Sequence, residues 1–333
     1  MSDLKTDSPQ QTTTSSSNAG APHPPTATDA HAARAAHAPR AKRGATLLCF
    51  GELLWDFLPD GLFPGGAPFN VAYHLHQHGL DARILTAVGR DILGEEFLRR
   101  IKAWGLPTDT IARHQELPTG YVRAELSASG EARYAFADNV AWDQIPINDE
   151  AQHAAMHARG AVFGSLALRS ISNRNSLERL LAILPADAWR VFDVNLRAPH
   201  DDLELVDRLA PKATLVKLNA AEAARLARDA ADETPGREEA DARTLAARWG
   251  LRRLCITCGA RGAGLLHEGQ WHYEPGRPVA VADTVGAGDS FLAALLAALL
   301  EGETPQRALA QAARLGEWVA SQRGATPSYA NRR

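Results

Sequence analysis

The sequence predicts an α/β fold: a mostly parallel sheet covered by helices on both faces, carrying a small β-sheet appendage. Three observations predict it. Short apolar runs alternate with stretches of helical periodicity through most of the chain, one segment instead alternates polar with apolar residues around a turn, and a run of small residues late in the chain opens a strongly apolar helix. A length of 333 residues suits one large domain with an appendage. Hydrophobic residues at 45% and charged residues at 23% suffice to bury a large core.

Residues 1–43 are rich in Ala, Thr, Ser, Pro and His and almost lack large aliphatic side chains, so they cannot repay the entropy of ordering. A disordered tail is expected there, and the folded domain spans 44–333. Thr46–Phe50, Arg83–Val88, Ala161–Leu166, Arg190–Val194, Thr214–Leu218 and Arg253–Thr257 read as strands. Leu93–Trp104, Ser176–Leu184, Ala220–Arg228 and Asp241–Trp249 carry apolar residues at three- and four-residue spacing and read as helices. This alternation places a ligand crevice at the carboxyl ends of the strands. The exception runs from Gly120 to Phe136 around Ala128-Ser129-Gly130, where polar and apolar residues alternate as in a hairpin. Its apolar face needs a surface to lie on, and a lid built from 119–137 and 55–63 over the crevice is the natural solution.

A net charge of −3, with Lys and Arg spread along the chain, argues against a nucleic-acid partner. The longest apolar stretch, Phe291–Leu300, is too short to cross a membrane, and the first residues lack the basic start and apolar run of a secretory signal, so a cytoplasmic location is expected. Cys49, Cys255 and Cys258 are too few and too scattered for a disulfide framework. Cys255 and Cys258 lie three apart in a strand-like run and point to opposite faces, which disfavours a shared metal. His74, His76 and His78 include a pair one helical turn apart, which permits a metal, yet no third ligand is identifiable.

The strongest chemical signal is Asp283-Thr284-Val285-Gly286-Ala287-Gly288-Asp289, which opens the helix-like run Ser290–Leu300. Small residues at 286–288 let backbone N–H groups approach an anion, and the helix adds its positive dipole end. Charge building on a transferring phosphoryl group would meet these donors, and Asp289 stands where it can take the proton of an attacking hydroxyl. A glycine-rich turn with Asp289 as helix N-cap is the plainer alternative. The second signal is Gly51-Glu52-Leu53-Leu54-Trp55-Asp56, followed by Pro64-Gly65-Gly66-Ala67-Pro68-Phe69-Asn70. A polyol needs donors and acceptors together, and a carboxylate plus a carboxamide beside exposed glycine backbone supply both. Asp193-Val194-Asn195-Leu196-Arg197 closes one apolar strand, and Lys217-Leu218-Asn219-Ala220-Ala221-Glu222 closes another. Arg197 suits a phosphate or sugar but also a surface ion pair, and Glu222 also suits a first-turn helix charge. Gly259-Ala-Arg-Gly262-Ala-Gly264 imitates a dinucleotide fingerprint, but it lies late in the chain and runs into a strand rather than a helix.

The run 283–289 resembles the C-terminal signature of PfkB-type, ribokinase-like carbohydrate kinases at every fixed position, and the resemblance covers residues 46–328. It implies a ribokinase-like fold, ATP and Mg²⁺ as cofactors, Asp289 as catalytic base, and Gly286, Ala287 and Gly288 as the anion loop. The N-terminal motif is similar to the family's sugar site, which assigns Asp56, Gly65, Gly66 and Asn70 to the acceptor, with Arg197 from the Asp-x-Asn-x-Arg run. The resemblance places Thr257, Gly259, Gly262, Thr284, Gly286 and Gly288 with the nucleotide, and gives Asn219 and Glu222 the Asn-x-x-Glu element that organises Mg²⁺ and phosphates through water. The loop Arg323–Ser328 resembles the family's C-terminal loop, which with Asp283 and the Val285 carbonyl holds K⁺. The Gly-Glu-Leu-Leu-Trp-Asp and Gly-Gly-Ala-Pro-Phe-Asn-Val-Ala-Tyr-His runs look most like fructokinases, so fructose is the expected acceptor.

Ribose is disfavoured by Gly164-Ser165-Leu166-Ala167-Leu168, which lacks the acid that ribokinases carry there. 2-Keto-3-deoxygluconate and a nucleoside stay open, the latter because Trp55, Phe69 and Phe136 could sandwich a purine. Two readings from other classes are a non-catalytic sugar sensor, disfavoured by the intact Asp289, and a nicotinamide-dependent dehydrogenase, disfavoured by the late glycine-rich loop. Small-molecule partners are expected, with a homodimer left open.

Overall fold

The computed structural model describes residues 45–58, 61–126, 132–230 and 232–332. The expected tail and the tip of the hairpin lie outside the described residues. In chain order the strands are β1 (Thr46–Phe50), β2 (Leu54–Leu58), β3 (Gly61–Gly65), β4 (Asp81–Gly89), β5 (Ile111–His114), β6 (Gly120–Leu126), β7 (Ala132–Phe136), β8 (Gly160–Gly164), β9 (Trp189–Asp193), β10 (Leu215–Asn219), β11 (Arg253–Thr257), β12 (Gly262–His267) and β13 (Gln270–Pro275). The described helices are α1 (Ala67–Gln77), α2 (Ile92–Ala103), α3 (Asp149–His157), α4 (Ile171–Ile183), α5 (Leu203–Leu209), α6 (Ala220–Arg228), α7 (Glu238–Trp249), α8 (Ala287–Leu300) and α9 (Pro305–Ala320).

Nine strands form one sheet in the order β13-β12-β11-β10-β9-β8-β1-β4-β5. Its members from β11 to β5 pair in parallel, while β12 and β13 close one edge antiparallel. The central strands are buried on both faces, which is why they read as continuous apolar runs. Successive side chains serve different cores: Leu47 and Cys49 join α1, α8 and α9 on one face, and Leu48 and Phe50 join α3 to α7 on the other. Helix α8 is apolar almost all round because it is packed into the first core rather than lying on the surface. Cys255 sits in the first core and Cys258 in the second, so the sheet itself separates the two thiols. Burial pushes each of them up to about 12.

The remaining strands form a separate sheet, β3-β2-β6-β7, in which β2 pairs β3 antiparallel and β6 parallel. The predicted hairpin and the 55–63 segment thus belong to one structure. Both ends of the hairpin are anchored. Asp91 caps α2 through the Gly94 N–H (2.8 Å) and also accepts from the N–H of Thr119 (2.7 Å), the residue before β6. After β7, Arg169 donates to the Ala137 carbonyl (2.6 Å) and to both oxygens of Asp143 (2.8 and 2.9 Å), with its guanidinium 4.1 Å over the Trp142 ring.

Candidate active site

The carboxyl ends of β1, β9, β10 and β11, the N-terminus of α8 and one strand of the small sheet bring most of the predicted residues together. Within β10, Lys217 stands opposite Asp193, the last residue of β9, in the parallel register and donates to its Oδ1 at 2.8 Å, both side chains being buried. Burial alone would lower the Lys217 pKa, but the Asp193 charge and hydrogen bond outweigh it and raise it. A methyl group on Gly288 would lie 3.6 Å from Lys217 Nζ, so this ammonium stands beneath the small-residue loop.

Gly286, whose φ of +78° suits glycine, is the N-cap of α8, and no side chain among the described residues caps the helix's first amides. A methyl on Gly286 would come 2.6 Å from Ala325 of the C-terminal loop, so that loop backs the turn closely. Asp289 lies inside the first turn and is not the N-cap, which removes the capping alternative. Its Oδ2 instead accepts from Asn70 Nδ2 at 2.8 Å, far away in sequence on α1. The Asp289 pKa is pushed up to about 6, chiefly by burial and then by the Asp193 charge, while the Asn70 hydrogen bond and the Lys217 and Arg197 charges oppose the rise.

The residues of the N-terminal motif are equally compact. Asp56 projects from β2 into the space a side chain on Gly65 would fill, and burial pushes its pKa up to about 6 against the opposing Arg197 charge. Gly66, at φ +114°, passes so close to the Glu52 carbonyl that a side chain has no room. Asn70 is buried, and its Oδ1 has no partner among the described residues. Glu52, within the same motif, has a structural role. Its Oε1 accepts from the Ala67 N–H (3.2 Å), which gives α1 the cap that Gly66 cannot supply, and its Oε2 is buried without a partner. Burial pushes its pKa up to about 7, with the Asp289 charge adding to the rise.

The other candidates separate by environment. Arg197 is exposed and makes its hydrogen bond to the Leu196 carbonyl (3.2 Å), while its charge lowers the proton affinity of Asp56, Glu52 and Asp289. Glu222 and Asn219 form a reciprocal cap on α6. The carboxylate of Glu222 accepts from the N–H groups of Asn219 (2.8 Å) and Leu196 (2.7 Å), so it ties the 193–197 turn to α6. Burial raises its pKa, with these amides opposing. Thr257 ends β11 and Gly259 follows it, with Thr257 Oγ1 donating to the Leu218 carbonyl (3.3 Å). Gly262 is accounted for by the close approach of the β13 backbone. Thr284 and Val285 are exposed, and Asp283 accepts from the N–H groups of Val285 (3.0 Å) and Gly324 (3.1 Å).

Two possibilities left open by the sequence are closed. Trp55 and Phe69 cannot sandwich a purine, because both are fully buried: the Trp55 indole donates to the Leu93 carbonyl (3.1 Å) and packs on Phe97, and Phe69 packs on Phe97 and Trp104. His74 is not available to a metal, since both of its ring nitrogens are hydrogen-bonded within the protein. The missed participants, Glu52, Asp193 and Lys217, had one common signal, a charged residue within or just after a buried apolar strand.

A family model described as pfkB family carbohydrate kinase matches residues 60–332. The chain belongs to that family. This PfkB kinase is 29% identical over 273 residues to a fructokinase of Klebsiella pneumoniae, an alignment covering 79% of this chain and 87% of the relative. Among solved structures, a fructokinase of Vibrio cholerae in a form with bound fructose, ADP and calcium ion superposes with a TM-score of 0.72 at 21% identity, covering 86% of this chain and 96% of the other. A fructokinase of Xylella fastidiosa with bound ATP does so with a TM-score of 0.72 at 22% identity, covering 84% and 94%. These likenesses show a ribokinase-like fold, with its mostly parallel sheet and separate smaller sheet.

Proposed function

We propose that this carbohydrate kinase transfers the γ-phosphoryl of ATP to a primary hydroxyl of fructose, with Asp289 as general base. The observation that carries the reading is the Asn70–Asp289 hydrogen bond of 2.8 Å, which joins the acceptor motif to the carboxylate at the uncapped N-terminus of α8. Above a pH of about 6 Asp289 is ionised. It takes the hydroxyl proton as the sugar oxygen bonds to the γ-phosphorus and the bond to the bridging oxygen breaks, leaving ADP. The α8 amides meet the charge on the transferring group, and Lys217 offsets the crowding of Asp193 and Asp289. Asp56, Gly65, Gly66 and Asn70 orient the sugar, and Arg197 completes the mouth of the cleft.

The assignment of ATP and fructose is supported by the fructokinase relatives, and loss of the aromatic sandwich removes the feature that favoured a nucleoside. Mg²⁺, when bound, would neutralise phosphate charge. Among the described residues no three His, Cys, Asp or Glu side chains form a direct metal site, which fits an ion held mainly by phosphates and water. The partnerless Oδ2 of Asp193 fits that water shell better than Glu222, whose two oxygens already accept backbone amides. Asp283 joins the anion loop to the 323–328 loop by accepting from the N–H groups of Val285 and Gly324, and a K⁺ held there would take Asp283 and the Val285 carbonyl as donors. No described helix is long and apolar enough to cross a membrane. ADP release from ATP and Mg²⁺ with a panel of sugars and nucleosides tests the proposal. Fructose should rank first, and a higher rank for any other acceptor rejects it as the substrate.

A further inference from the structure

His74 lies one turn after Asn70 on α1, so the two side chains share a helix face. Asn70 reaches Asp289, while His74 is fully buried against the C-terminal loop. The Nε2 of His74 lies 2.9 Å from the Ala325 carbonyl, and its Nδ1 lies 2.9 Å from the Tyr329 hydroxyl. A carbonyl can only accept, so Nε2 carries the hydrogen and Nδ1 accepts from Tyr329. The neighbouring Tyr73 donates its hydroxyl to the Pro327 carbonyl at 2.9 Å. The Tyr329 ring is surrounded by Tyr73, His74, His78 and Trp318. Ala325 is the residue that packs on Gly286 at the start of the anion loop.

We propose that His74 and Tyr329 form a latch that positions the anion loop relative to the base. Through Asn70, α1 fixes the Asp289 carboxylate; through His74, the same helix fixes the loop behind Gly286. A single rigid element therefore sets the position of both the proton acceptor and the amides that meet the phosphoryl charge. The neutral ring suits this task, since burial lowers the His74 pKa to about 4. His74 is a positioning residue: it is fully buried, and both ring nitrogens are committed to the protein.

The inference rests on the proposed phosphoryl transfer, so its test includes a readout that needs no substrate. His74→Phe fills the space without hydrogen bonds, His74→Gln retains a donor for the Ala325 carbonyl, and Tyr329→Phe removes only one hydroxyl. Loss of the buried bonds in His74→Phe should lower kcat by about tenfold, with KM for ATP and sugar changed by less than about threefold. His74→Gln should recover part of the loss, and Tyr329→Phe should show a smaller defect of the same kind. Amide hydrogen exchange at 284–290 should accelerate in His74→Phe relative to the rest of α8, even if none of the acceptors tested is phosphorylated. Unchanged exchange at 284–290, or an acceleration spread evenly over the protein with a lowered Tm, would overturn the latch. So would a full kcat in a folded His74→Phe.

Discussion

Three carboxyl groups at the cleft are held high: Asp289 and Asp56 at about 6 and Glu52 at about 7, burial being the main cause in each. Their ionised forms are therefore carried at a cost to stability. Glu52 illustrates the sign. Its folded pKa of about 7 exceeds the ordinary 4.5, so its contribution to stability is complete below 4.5 and is lost as pH rises to about 7. Glu52→Gln keeps a carbonyl acceptor for Ala67 and imitates the protonated acid. Its Tm should exceed the wild-type value at about pH 8 and match it near pH 4. An equal Tm difference at both pH values would show that burial of the charge is not what matters. Asp56→Ala should cost about 1.5–3 kcal/mol in kcat/KM for the sugar by removing a charge-assisted hydrogen bond, while leaving ATP affinity nearly unchanged. Sugar kinetics equal to wild type would move Asp56 out of the site. At this scale Asp289, Asn70 and Asp56 were legible as candidates, because they stand in motifs whose chemistry is local. Glu52, Lys217 and His74 were not legible, because their partners are fixed by cross-strand register and by a loop distant in sequence.

At the scale of elements, the alternating hairpin was legible from period-two patterning, and β1 and β11 match their predicted bounds. The parallel pairing of β2 with β6 was not, since it depends on the turn after β1 and on the Thr119 anchor rather than on either strand's own pattern. The edge strands β5 and β13 are half exposed and carry too few apolar residues to announce themselves. A hairpin fixed at Thr119 and Ala137 can swing about two anchored ends, which is the mechanical requirement for a lid. Saturating sugar should slow hydrogen exchange across 120–137, as closure excludes water from the activated phosphate. Exchange in that segment that does not respond to sugar would mean that the small sheet is a static wall.

At the scale of the molecule, one sheet separates two cores, and the cleft forms where strand ends, a half-buried helix N-terminus and the small sheet converge. The architecture was legible because alternation of strand and helix leaves few alternatives. The close joining of residues 70, 289 and 325 was not, since it is a product of α1 and α8 packing on the same face of the sheet. Asp289 is the group on which phosphoryl transfer at this cleft would depend. Asparagine preserves its shape and can still pair with Asn70, and because Asp289 caps no helix the fold should persist. Turnover of Asp289→Asn, measured with saturating ATP and the best acceptor, is the direct measurement. A general base at position 289 requires a loss of at least about 100-fold with ATP binding retained, and near wild-type turnover in the folded variant would rule that role out.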